Sequence, residues 1–143
     1  AREGAAMKAL RTLLKLAKRD LEALRRALAE KTSALALLEE RILGHEQTLR
    51  AEQQAALRDY ESARAYSGFA VLAAQGRRAL ESEREVIGQD IERLRTLIAE
   101  AHVEMRKFER LIELEETREK AALEKREDAE LDEMATLRAG RTR

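Results

Sequence analysis

The stretch Leu10–Ala56, LRTLLKLAKRDLEALRRALAEKTSALALLEERILGHEQTLRAEQQAA, decides the fold. Steps of four and three alternate without a break through Leu10, Leu14, Ala17, Leu21, Leu24, Leu28, Lys31, Leu35, Leu38, Ile42, His45, Leu49, Glu52 and Ala56. All of these except Lys31, His45 and Glu52 are apolar. A repeat of about 3.5 residues held over this length keeps one apolar seam turned toward one partner helix. The segment is therefore a long coiled-coil helix, and it points to function through contact rather than through a pocket.

Composition supports this reading across the whole chain of 143 residues. Aromatic residues are only 3%, and proline, tryptophan and cysteine are absent. Compact cores draw much of their buried area from aromatic side chains. Here Ala, Leu, Glu, Arg and Lys dominate, as in long helices. Basic and acidic residues balance at 28 each, so the formal net charge is zero and no basic excess suits a nucleic-acid backbone. No apolar run is long enough to span a bilayer, and the N-terminus lacks a signal-peptide pattern. The lack of cysteine rules out disulfides and thiolate zinc sites, and it fits a reducing compartment.

Downstream a second seam reads Leu80, Arg84, Ile87, Ile91, Leu94, Ile98, Ala101, Met105, Phe108 and Ile112, with Arg84 its only polar member. Two seams of this kind fold back on each other as an antiparallel hairpin. The expected fold class is thus all-α, a long two-helix antiparallel coiled-coil hairpin. Its expected divisions are a leader over 1–6 preceding the native Met7, helices over about 7–64 and 69–138, a turn over about 65–68, and a frayed tail over 139–143. Ser67 and Gly68 are the turn signals, a capping hydroxyl and a flexible backbone. In that register residue i faces about 132 − i, so Glu52 lies near Arg84 and Lys31 near Glu100. Polar seam residues can set register, or their long side chains can simply reach out to water.

Candidate chemistry is sparse. His45 and His102 do not face each other in this register, and a metal site needs several convergent ligands. Carboxylate pairs such as Glu39/Glu40 and Asp132/Glu133 lie on solvated helix faces, without the desolvated cleft that general acid–base catalysis needs. No glycine-rich phosphate loop is present. No catalytic, cofactor-binding or metal-binding residue is expected. Tyr60, Tyr66 and Phe69 gather near the break. They read either as an apolar plug of the hairpin end or as an exposed anchor for a partner.

Two passages together carry a family resemblance: Tyr66-Ser67-Gly68-Phe69, opening the second helix, and the run Lys125-Arg126-Glu127-Asp128-Ala129-Glu130-Leu131-Asp132-Glu133-Met134-Ala135. On a proline-free hairpin from Met7 on, they resemble the FliJ family of bacterial flagellar export proteins. The resemblance implies a non-catalytic component of the flagellar type III export apparatus. It implies a stalk-like coiled coil in the centre of the hexameric export ATPase, reaching a membrane export gate protein and escorting export chaperones. By that resemblance Tyr66 and Phe69 serve the gate, and Arg126, Glu127, Leu131, Asp132 and Glu133 serve the ATPase. It further implies a monomer when free, cytoplasmic and peripheral at the inner membrane's cytoplasmic face, without membrane insertion. Other readings are the equivalent stalk of a virulence injectisome, and a structural coiled-coil dimer or scaffold fragment.

Overall fold

The computed structural model describes residues 4–141, and these form two helices, α1 (Ala5–Ala56) and α2 (Tyr60–Arg141). The fold is all-α, a helical hairpin with no strand among the described residues. By its contacts the chain divides into two compact units. One joins the residues up to Leu21 with those from Glu100 on, and the other is Glu22–Ala99.

In the first unit Met7, Ala17 and Leu21 of α1 and Ile112 of α2 are buried, with Leu10, Leu14, Ala101, Met105 and Phe108 half-buried beside them. In the second, Leu38, Ile42, Ala73 and Ile91 are buried and the remaining apolar seam residues are half-buried. The 4-3 pattern therefore identifies the packed face correctly. Only Glu52 and Arg84, two of its polar members, stand exposed. A two-helix layer covers few side chains on all sides, so half-burial is the commoner condition along its seams.

The turn lies elsewhere than expected. It spans Leu57–Asp59, and the stretch 65–68 is an uninterrupted part of α2. Asp59 is the reason. Its carboxylate accepts the Ser62 backbone N–H at 2.7 Å, and its carbonyl accepts the Ala63 N–H at 3.2 Å. This is an N-cap, and Glu61 adds an acid in the first turn where the helix dipole favours it. At the other end α1 tightens, with Leu57 N–H donating to the Gln54 carbonyl and Arg58 N–H to that of Ala55. Ser67 does not cap: its hydroxyl donates to the Arg64 carbonyl at 3.0 Å. Gly68 keeps a right-handed backbone.

Moving the turn moves the register. Lys31 meets Asp90 at 3.2 Å, about three helical turns from Glu100. Arg41 meets Glu83 at 3.6 Å, and Arg77 reaches Glu46. Glu52 and Arg84 are therefore not partners. Lys31 is held by an acid on α2, and so is not left to solvent alone. At the ends, Gly4 accepts the Lys8 N–H at 3.1 Å and Ala5 and Ala6 already belong to α1. The rest of the expected leader, 1–3, lies outside the described residues. Of the expected frayed tail, Ala139–Arg141 are helical and 142–143 lie outside the described residues.

Candidate partner-binding surfaces

Tyr66 and Phe69 sit in the first turns of α2, on the stripe that continues through Ala73 to Leu80. Both are half-buried, and their rings lie 6.4 Å apart at 38°. Tyr66 also lines a cavity of about 440 Å³ with His45, Leu49, Gln53 and Ala73. Their placement fits the plug of the hairpin end at least as well as the anchor. The exposed apolar side chains at the turn are Leu57, 88% exposed, and Tyr60, 79% exposed. No periodicity marks Leu57, because a turn residue belongs to neither seam. The readable signal was the cap Asp59-x-x-Ser62 just after it.

Arg77 organises the α1–α2 contact in this region. It donates to Glu46 across the seam and to Glu81 on its own helix at 2.7 Å. That hydrogen bond, and then the guanidinium charge, hold the Glu46 carboxyl below its ordinary value of 4.5. A carboxyl depressed on folding stabilises the fold above its unfolded value, and the contribution fades as pH falls through the folded value. The wild-type melting temperature should therefore exceed that of Glu46→Gln at neutral pH, with the gap closing in acid below about pH 4. Parallel melts at pH 7 and pH 3 check this; a gap that persists in acid would give the effect to packing.

Arg126, Glu127, Leu131, Asp132 and Glu133 lie on the far stretch of α2. Arg11 meets Glu116 at 3.3 Å, and from Glu116 to Arg141 every described residue is exposed. Successive helical residues point about 100° apart, so Leu131, Asp132 and Glu133 address three directions and cannot all meet one flat partner. Leu123, Met134 and Leu137 continue the stripe of Met105 and Ile112 by helical spacing. They are 49%, 54% and 61% exposed. The stripe thins there, with acids between its apolar members, so spacing alone does not single these three out as contacts.

Among the described residues no group of three or more His, Cys, Asp or Glu is placed to hold a metal ion. No described helix is long and apolar enough to cross a membrane. No curated protein and no solved structure matches the chain. The family model described as Flagellar FliJ protein matches residues 7–143, and a 4-3 helical hairpin carrying an exposed α2 extension is what this chain brings to that match: it belongs to the FliJ family.

Proposed function

We propose that the chain is a non-catalytic stalk of flagellar type III export. Family membership already makes it a flagellar export-related protein. The finer reading is that α2 beyond Glu116 enters the hexameric export ATPase, with Arg126, Glu127, Leu131, Asp132 and Glu133 as contacts. The turn region, through Tyr66 and Phe69, meets the membrane export gate, and export chaperones are further partners. The working location is the cytoplasmic face of the inner membrane, and the free chain is a monomer.

One observation carries this reading: an apolar stripe runs on along a helix exposed on every side. A partner that closes around the helix can use contacts pointing in all directions, as a flat surface cannot. Mixed charges on that stretch favour weak, reversible contacts over a locked interface.

The purified chain, added in a concentration series to its cognate ATPase, should raise turnover or the hexamer population. Replacing Leu131 and Asp132 by alanine should weaken ATPase binding about tenfold and spare the gate contact. Replacing Tyr66 and Phe69 should do the reverse. An unchanged rate and unchanged ring population across the series would remove the stalk reading.

A further inference from the structure

The two flanks of the hairpin are unlike within the unit that joins the residues up to Leu21 to those from Glu100 on. One flank is polar across both helices: Arg11 and Lys18 on α1 run beside Glu109 and Glu116 on α2, and Arg11 and Glu116 are ion-paired. The other flank is apolar. Leu13 and Leu16 lie outside the α1 seam and are 42% and 47% exposed. With Asp20, Ala101, Glu104 and Phe108 they line a cavity of about 290 Å³ open along the helix pair. A two-helix coil covers leucines beside its seam only in part. The same residues are what a third helix packing into the groove would cover.

The charges at this groove choose the occupant. Asp20 closes it on the α1 side and Glu104 on the α2 side, with Glu100 one turn before Glu104. Asp20 and Glu100 make no ion pair among the described residues. Lys107 pairs with Glu104 at 3.1 Å and lies over the Phe108 ring, 5.2 Å from its centre, which leaves Asp20 and Glu100 as the acids without an ion-pair partner here among the described residues, while Arg19 lies one turn from Leu16 on the outer side of α1. A second copy docking through the same flank would bring acid against acid. A helix whose apolar stripe is bordered by Lys or Arg would bring opposite charges together.

We infer that the groove between Leu13, Leu16 and Phe108 docks an amphipathic helix of a partner protein, with aliphatic anchors bordered by basic residues. The site is separate from the exposed α2 extension and from the turn, and does not depend on the stalk reading.

The test uses the full chain and two synthetic helical peptides. Both carry leucines at i, i+3, i+4 and i+7; one has lysines bordering that stripe and the other glutamates. Fluorescence anisotropy should show the lysine peptide binding about tenfold more tightly than the glutamate peptide. Asp20→Lys with Glu104→Lys should reverse the order, and Asp20→Asn with Glu104→Gln should level it. Leu13→Ser with Leu16→Ser should abolish binding of both peptides, whereas Glu22→Lys, outside the groove, should change nothing. These positions are off the seam, and helicity by circular dichroism confirms that each variant is folded. Equal binding of the two peptides to the wild type, binding of neither, or insensitivity to the leucine pair would overturn the proposal. So would a dimer in sedimentation equilibrium that Leu16→Ser dissociates, which would assign the groove to a second copy.

Discussion

Leu38→Ala should destabilise the folded chain by about 2 to 4 kcal/mol, while Leu37→Ala, one residue earlier, should change stability by less than about 0.5 kcal/mol. The chemistry of the two changes is the same and the helix propensity gained is the same. Only the surroundings differ: Leu38 is 2% exposed and Leu37 is 63% exposed. Truncating Leu38 leaves a cavity in a core one layer thick, where no second layer can move in. Truncating Leu37 returns a few methylenes' worth of space to water. Urea unfolding followed by circular dichroism reads both. Similar midpoint shifts for the two variants would mean that the 4-3 seam does not carry the packing energy.

The second large effect concerns a glycine. A Cβ added at Gly76 would lie 3.3 Å from Nε2 of His45, whereas one added at Gly88 would meet nothing within 4 Å. Gly88→Ala should therefore stabilise the chain by about 0.5 to 1 kcal/mol, since glycine is a poor helix residue. Gly76→Val should instead cost about 1 to 3 kcal/mol, because its branches enter space the imidazole fills. The Nδ1 of that ring is buried without a hydrogen-bond partner among the described residues, so the penalty is one of packing alone. In a His45→Ala background the penalty of Gly76→Val should vanish. A double-mutant cycle measures this coupling, and additive effects would show that the two residues do not share the space.

The two predictions rest on different kinds of information. Leu38 was readable as a core residue from spacing alone. Gly76 was not, because nothing in a string of residues says which glycine faces which side chain on another helix. The same division runs through the functional surfaces. The run around Arg126–Glu133 was recognisable as a motif on a helix, and helical spacing alone sets its residues in several directions beside Leu123, Met134 and Leu137; that the whole stretch is exposed follows only from the structure. Tyr66 and Phe69 are rare aromatics near the turn that the sequence predicts. Once the turn is at Leu57–Asp59, they become half-buried residues of a packed helix, and Leu57 and Tyr60 take the exposed positions.

By itself the sequence determined that this protein is all-α, that two seams pair, and which side chains form each seam. These follow from a period that only a supercoiled helix satisfies, repeated over many turns so that local exceptions such as Lys31 and Glu52 cannot disturb it. Tertiary structure alone decided the register, the contacts of Arg77 with Glu46 and of Lys31 with Asp90, and the difference between the two flanks. A heptad pattern is nearly unchanged by a slide of seven residues, so it cannot say which turn of one helix meets which turn of the other. That choice falls to one short polar device, the Asp59 cap, and to the few cross-helix ion pairs that its position brings into reach.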